Sequence, residues 1–345
     1  MLNNDDKKVM TNHNIRLTAS EMGFLWTQYE NDSMAICVLK YFANKCEDEE
    51  ILPIIKTALN FSEEHVQTIS DIFTNEKIPV PVGFTDEDVH INAPKLFTDT
   101  FMLYYIQNMA MVGMSGAGIG IGVTTREDIN KFFQEILIQS KELHDMARKT
   151  SLSKGTYVRP PYITASDKVQ FVSKQRFLFD FLGKSKRPLT AIEITHLYIN
   201  IQTNALGKAM MIGFAQVCKG EDVKQFFMEG KNLATKHMKK FSTLLEDSDL
   251  PAPMSWDSHV LDSTVTPFSD KLMMYHTTGM IATGIGNYGM AAGTCERLDL
   301  SAIYTRLSAE IALFAEDGAN IVIKHGWLEE PPQADDRQAL VNQPK

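Results

Sequence analysis

Cysteine is scarce in this sequence, and the few cysteines are far apart. Only four occur in 345 residues, and no two of them form a C-x-x-C pair. This pattern excludes a disulfide framework and a cysteine-rich zinc site, and it is typical of reduced intracellular thiols. The opening stretch, MLNNDDKKVMTNHN, also lacks the apolar run of a secretory signal. We therefore expect a cytoplasmic protein.

Positive charge is in short supply as well. The chain has 34 lysine and arginine residues against 43 aspartate and glutamate residues, which gives a net charge of -9. Because neutralising phosphates requires clustered Lys and Arg, this balance argues against a nucleic-acid partner. The 44% hydrophobic and 22% charged residues are typical of a globular protein, and a length of 345 residues predicts about two domains.

Two long stretches lack charge altogether. One lies between Asp99 and Arg126 and the other runs from Leu272 to Cys295, so each is about as long as a membrane span. Both are rich in Gly, Thr, Asn and Gln and poor in the Leu, Ile and Val residues that favour insertion into a bilayer. Buried helices of a globular protein are therefore favoured over membrane helices.

The second half of the sequence repeats the first. LTASE at residues 17–21 recurs as LTAIE at 189–193, and at the same offset His65 falls on His237. After a gap of one residue, helix-three glycines, an R-x-D motif and a P-P pair continue to match in register. Many matches interrupted by a single gap indicate a tandem duplication.

Each repeat predicts four helices. The first begins at a T-x-x-E capping box, formed by Thr18 with Glu21 in one repeat and by Thr190 with Glu193 in the other. A proline-rich crossover separates the second helix from the third, because proline cannot continue a helix. Two short-looped helix pairs joined by one long crossover are typical of a ferritin-like bundle. The sequence thus predicts an all-α protein of two tandem ferritin-like four-helix bundles.

The predicted division of the chain follows the repeats. It comprises a polar N-terminal tail at 1–16, a first four-helix bundle at 17–161, a linker at 162–188, a second four-helix bundle at 189–332 and a polar C-terminal tail at 333–345. Within the linker, KVQFVSK is compatible with a short extended segment or with a linking helix.

A glycine-rich stretch, GMSGAGIGIGV at residues 113–123, lies in the third predicted helix. No strand precedes it and it lacks the Gly-Lys-Ser/Thr ending of a phosphate-binding loop, which argues against nucleotide binding. Three of its glycines recur in the second repeat, and their spacing of five and four places them on one side of a helix. We expect close helix packing there, so that a bulkier residue would overpack the contact. The predicted positions are Gly113, Gly118, Gly122, Gly284, Gly289 and Gly293.

A bundle of this kind raises the question of a metal site. A di-iron site needs Glu-x-x-His on two helices, and neither His65 nor His237 has a glutamate three residues earlier. Asp32, His65 and Glu142 form a conceivable mononuclear set, but the second repeat has no carboxylate at the positions of Asp32 and Glu142. Buried histidines with satisfied hydrogen bonds are therefore favoured, and Asp32, His65, Glu142 and His237 are weak metal candidates.

Catalytic motifs are missing too. The sequence has no G-x-S-x-G elbow, and no cysteine lies in the context of a nucleophile. We predict no catalytic residue and no cofactor, with iron or manganese as the metal of the alternative interpretation.

The repeated pattern resembles a known family. The resemblance rests on the capping box, IPVPVGFTDEDVHINAPKLFTD, the glycine-rich third helix, R-x-D, PFSDKLMMYH and KHGWLEEPP, and it spans about residues 17–332. These features are similar to those of an uncharacterised family of endospore-forming bacteria, a domain of unknown function whose members look like tandem ferritin-like bundles. Some members carry the label "putative spore coat protein". The resemblance implies a fold and a spore-associated setting but no activity.

Together these features predict a protein with a non-catalytic structural or interaction role. We expect protein partners or self-association, and no nucleic acid. The alternative is a metal-binding, ferritin-like oxidase or storage protein. A membrane-associated protein is the second alternative.

Overall fold

Each repeat folds into four long helices, arranged as two helical hairpins. A computed structural model describes residues 15–178 and 187–341. The first repeat forms α1 (Ala19–Lys45), α2 (Leu52–Glu76), α3 (Asp99–Val123) and α4 (Glu127–Ser153). The second forms α5 (Ala191–Val217), α6 (Glu221–Glu246), α7 (Asp270–Thr294) and α8 (Leu298–Lys324), and a short α9 (Arg337–Val341) follows.

The all-α prediction is confirmed, and the two repeats are tandem bundles. Within the described ranges the chain forms no strand, only two isolated bridges. A long crossover joins the two hairpins of each repeat, and each crossover contains one 3-10 turn, at Asp86–Asp88 and at Asp257–His259. The prolines of these segments explain why neither continues as a helix.

The described parts of the segments that flank the bundles carry little regular structure. Residues 1–14, 179–186 and 342–345, which belong to the predicted tails and linker, lie outside the described residues. KVQFVSK forms no helix and is exposed, and a 3-10 turn at Gln175–Phe177 follows it. Among the helices that the structure describes, none combines the length and the apolar character needed to cross a bilayer.

A capping box begins the first helix of the first bundle. The Thr18 hydroxyl accepts a hydrogen bond from the Glu21 N–H at 3.2 Å, and the Glu21 carboxylate accepts one from the Thr18 N–H at 2.8 Å. The other Glu21 oxygen accepts hydrogen bonds from the N–H groups of Thr125 and Arg126, just before α4. Burial raises the pKa of Glu21, but these hydrogen bonds outweigh it and lower the pKa to about 2. One carboxylate therefore caps α1 and holds it against α4.

The second bundle repeats this arrangement at Thr190 and Glu193. The fully buried Glu193 also accepts a hydrogen bond from the Arg297 N–H, just before α8. The Arg187 guanidinium adds two hydrogen bonds of 2.8 Å to the same carboxylate. In both bundles the cap residues thus connect two helices in addition to capping the N-terminus of one.

The two crossovers pair with each other in an antiparallel manner. Val89 bridges to Phe268, and Phe97 bridges to Val260. Val260 is the counterpart of Val89 in the repeat, and Phe268 is the counterpart of Phe97. The two bridges are therefore equivalent, as in a self-complementary contact about a two-fold axis.

Hydrogen bonds between the crossovers follow the same symmetry. The Thr98 N–H donates to the His259 carbonyl at 3.0 Å, and the Thr98 hydroxyl lies 2.8 Å from Nδ1 of His259. The equivalent Ser269 N–H donates to the Asp88 carbonyl at 2.9 Å, and the Ser269 hydroxyl donates to the Asp88 carboxylate at 2.6 Å. Both third helices thus begin on the crossover of the other bundle.

The third helices meet near this axis. Tyr105 of α3 and His276 of α7 are counterparts in the repeat, and the Tyr105 hydroxyl lies 2.7 Å from Nε2 of His276. Burial lowers the pKa of His276 to about 4, so the neutral imidazole accepts the tyrosine hydrogen bond. One hydrophobic core extends across both bundles around this contact.

The six glycines that were expected to pack closely do not share that role. An added Cβ at Gly284 would lie 3.7 Å from Ile311, an ordinary contact, and only at Gly113 would it clash, 2.5 Å from Oγ of Ser140. The other four are exposed, and an added Cβ would meet no atom within 4 Å. These four are Gly118, Gly122, Gly289 and Gly293. The close-packing prediction is wrong everywhere except at Gly113, because helical spacing shows that residues share a side but not what that side faces.

Replacing Gly118 and Gly120 by alanine should change stability in opposite directions. Alanine has room at Gly118, and because glycine within a helix costs about 0.5–1 kcal/mol, the free energy of unfolding should rise by about that amount. At Gly120 the new Cβ would lie 2.8 Å from Cδ1 of Phe133, and overpacking should lower the free energy of unfolding by about 1–3 kcal/mol. Urea denaturation of both variants measures these changes, and changes of the same sign would contradict the assignment.

Candidate functional site

The first bundle contains a cavity of about 440 Å³. Sites that hold small molecules typically have volumes of about 300–1,000 Å³. Residues of α1, α2, α3 and α4 line the cavity, and residues of α5 and α7 complete it from the second bundle. Its exposed lining residues include Asn31, Val112 and Gly279, which places the opening between α1, α3 and α7. The cavity is thus built by both bundles.

The cavity divides the hydrophobic core of the first bundle. On one side lies a small cluster that contains Leu25, Ile69 and Phe133, and on the other side lies the large core shared by both bundles. In the second bundle, Tyr288 and Tyr304 belong to the large core, which is continuous there. Since protein interiors are normally close-packed, the divided core is a specific feature of the first bundle.

A buried aspartate and a buried histidine face each other in the cavity wall. Nδ1 of His65, on α2, lies 3.1 Å from Oδ2 of Asp32 on α1, and Nε2 lies 2.6 Å from Oε1 of Gln139 on α4. Gln28, one turn before Asp32, donates to the same Oδ2 atom at 2.7 Å. The ring nitrogens face two acceptor oxygens, an arrangement that favours the protonated imidazole, since only that form donates from both nitrogens.

The pKa of His65 agrees with this charge state. Burial lowers the pKa, but the Asp32 carboxylate and the hydrogen bonds more than compensate and raise it above the ordinary value of 6.5. Asp32 and His65 are only 7% and 8% exposed. The cavity wall therefore carries an ion pair of opposite charges that is largely removed from water.

The counterpart site in the second bundle is filled. His237 is fully buried, with Nδ1 at 3.0 Å from the Tyr288 hydroxyl and Nε2 at 3.1 Å from a carboxylate oxygen of Glu310. Burial lowers the pKa of His237, and the neighbouring Glu310 offsets this only in part. Only about 80 Å³ of cavity remains there.

Differences in side-chain size contribute to the filling. Phe314 stacks on Phe226 with ring centres 4.2 Å apart, and an added Cβ at Gly230 would lie 2.8 Å from Cζ of Phe314. Phe314 therefore fits because residue 230 is glycine, and Ile311 occupies the neighbouring volume. The counterparts of Phe314, Ile311 and Gly230 in the first bundle are Leu143, Ser140 and Ala58. The two bundles share a backbone arrangement, but they differ in how its interior is occupied.

The structure brings together only two of the four weak metal candidates. Asp32 and His65 are in contact, and His237 lies in the other bundle. Glu142 is exposed on α4, and Gln139, one turn earlier, reaches His65 instead. The mononuclear set is therefore wrong at Glu142, because the helix turns that residue away from the interior. Among the described residues, no group of three or more His, Cys, Asp or Glu side chains is suited to hold a metal ion.

Motif analysis missed several residues of this site. Gln28, Gln139 and Tyr105 belong to no recognised motif, although all three contribute to the cavity or its polar wall. The available signal was the difference between the repeats, since Gln139 and Ser140 are replaced by a glutamate and an isoleucine in the second copy. A change of size or charge at an inward-facing position marks where two copies of one bundle diverge.

Both repeats have recognisable relatives. Residues 6–169 and 177–340 each match the family described as Protein of unknown function (DUF3231). A solved structure of a "putative spore coat protein" from Bacillus halodurans C-125 is similar at 18% sequence identity, over 44% of this chain and 98% of that chain, with a TM-score of 0.39. No curated protein matches the chain.

His65 and His237 should titrate on opposite sides of pH 6.5. Because the folded-state pKa of His65 is raised, its protonation stabilises the fold below pH 6.5, and this contribution is lost as the pH rises through the folded-state value. Asp32→Asn should lower the pKa of His65 and leave that of His237 unchanged. Two-dimensional NMR of the imidazole resonances measures both values. Equal pKa values for the two histidines would contradict the described ion pair.

Proposed function

Since the chain belongs to the DUF3231 family, whose function is unknown, we propose that it is a non-catalytic protein that binds a small, largely apolar molecule in its first bundle. The observation that carries this proposal is the contrast between a cavity of about 440 Å³ in one bundle and about 80 Å³ at the counterpart position in the other. Both bundles derive from one duplicated sequence. The second bundle shows that side chains can fill the interior of this four-helix arrangement, whereas the interior of the first bundle is left open.

The composition of the cavity supports binding of a mainly apolar molecule. Its lining includes methionines from both bundles, Met34, Met109 and Met280, together with aliphatic and aromatic side chains. Methionine side chains are flexible and adapt to ligands of different shape. Binding pockets of this kind combine an apolar wall with a few polar groups that orient the ligand, a role suited to Asp32.

The cysteines support a binding role over a catalytic one. A nucleophilic cysteine needs a lowered pKa and access to solvent. Burial instead raises the pKa of Cys37 to about 12 and that of Cys218 to about 11. We extend the proposal to a spore-associated setting in the cytoplasm, with protein partners or self-association, on the strength of the sequence resemblance.

Copying the packing of the second bundle into the first should weaken binding. The variant Ala58→Gly/Ser140→Ile/Leu143→Phe gives the first bundle the residue types of Gly230, Ile311 and Phe314. In the second bundle these three residues pack together without a clash. The neutral dye N-phenyl-1-naphthylamine should bind the unmodified protein with increased fluorescence. The filled variant should bind it about tenfold more weakly or worse, a loss of about 1.4 kcal/mol or more.

The matched control makes the reverse change in the second bundle. Gly230→Ala/Ile311→Ser/Phe314→Leu should leave the affinity of the first bundle for the dye unchanged, even if stability falls. The proposal would be refuted if the filled variant bound the dye as tightly as the unmodified protein, or if only the changes in the second bundle altered the affinity for the dye. Circular dichroism of both variants should show the helical content of the unmodified protein.

A further inference from the structure

We propose that the bound molecule presents a hydrogen-bond donor, an amine or a hydroxyl, to Asp32, and that the cavity discriminates against acids. This inference rests on the proposed binding function and specifies the polar end of the ligand. The cavity itself indicates a binding site, whereas the hydrogen bonds in its wall indicate which chemical group is recognised.

The Asp32 carboxylate is only half used. Oδ2 accepts both of its hydrogen bonds, from Gln28 and from His65. Oδ1 accepts none from the described residues, although Asp32 is 7% exposed and lines the cavity. Because Oδ1 belongs to a residue of the cavity lining and has no protein donor, it can accept a hydrogen bond from a molecule in the cavity. A donor supplied by the ligand satisfies it.

Among its described lining residues, the cavity offers no unpaired cation to an anionic group. Among the described residues that line it, none is lysine or arginine. The one cationic side chain is His65, and its two nitrogens are already directed to Asp32 and Gln139. Glu64, 3.4 Å from the Gln139 amide nitrogen, adds a second negative charge behind the histidine. A carboxylate or phosphate entering the cavity would approach the Asp32 carboxylate and find no cation that is not already paired.

Other polar groups near the opening suit a donor of either kind. Asn31 and Asn108 line the cavity, and Asn31 accepts a hydrogen bond from the Tyr275 hydroxyl at 3.2 Å. Tyr275 itself is neutral, because burial and the nearby Glu30 and Asp32 carboxylates raise its pKa. The polar part of the lining is thus composed of neutral dipoles around one accessible carboxylate.

Three ligands with one apolar body test the inference. We would measure binding of 2-(1-naphthyl)ethylamine, 2-(1-naphthyl)ethanol and 1-naphthylacetate to the full chain at pH 7, by calorimetry and by displacement of N-phenyl-1-naphthylamine. The amine and the alcohol should bind about tenfold more tightly than the acid, or better. This ranking is measured on the unmodified protein and needs no variant to fold.

Asp32→Asn assigns the preference to one side chain. The second bundle carries Asn204 at this position, so the helical environment accommodates asparagine. The variant should bind the amine about tenfold more weakly, and the difference in affinity between the amine and the acid should become smaller. Asp71→Asn, an exposed position on α2, changes the net charge equally and should leave the ranking intact.

The outcomes separate the two proposals. If neither the dye nor any naphthyl ligand binds, the binding function itself is refuted. If the dye binds and the acid binds as tightly as the amine and the alcohol, the cavity remains a binding site and the inference about its polar end is overturned. An unchanged ranking in Asp32→Asn overturns the assignment to Asp32.

Discussion

The symmetric pairing of the two crossovers is the contact on which the rest of the structure depends. The prolines in the crossovers prevent these segments from forming helices, so their backbone N–H and C=O groups need hydrogen-bond partners elsewhere. Here each finds them on the other crossover, through the bridges of Val89 with Phe268 and of Phe97 with Val260. Because α3 and α7 begin on these segments, the pairing also brings Tyr105 against His276 and allows α7 to close the cavity of the first bundle.

Within this arrangement, side-chain size at a few inward-facing positions contributes to the difference between the open first bundle and the filled second bundle. Phe314 can enter the second bundle only because Gly230 faces it without a Cβ, so the two residues function as a pair. The first bundle has Leu143 and Ala58 instead, and the space between them joins the volume left by Ser140. The buried charges differ accordingly, since His65 pairs with Asp32 whereas His237 pairs with a tyrosine and a glutamate.

Sequence reasoning predicts the architecture better than the site. The duplication, the all-α class and the capping boxes follow from local spacing, which acts within one helix and is visible in one dimension. The exposure of Gly118 and Gly122 does not follow from the sequence, because residue spacing carries no information about where the neighbouring helix lies. The cavity is still harder to predict from the sequence, since its volume depends on side chains from six helices and no single residue determines it. The differences between the two repeats are its only trace in the sequence.

The self-complementary crossover contact has a consequence for how such a site arises. In a homodimer of a single four-helix unit, both subunits would carry identical side chains, so every substitution would act on both interiors at once. Covalent fusion of the two units removes that restriction, because each copy then varies by itself while the contact between them persists. An asymmetric pair, with one solid half that supports stability and one open half with a polar wall, is accessible to the fused chain but not to such a homodimer.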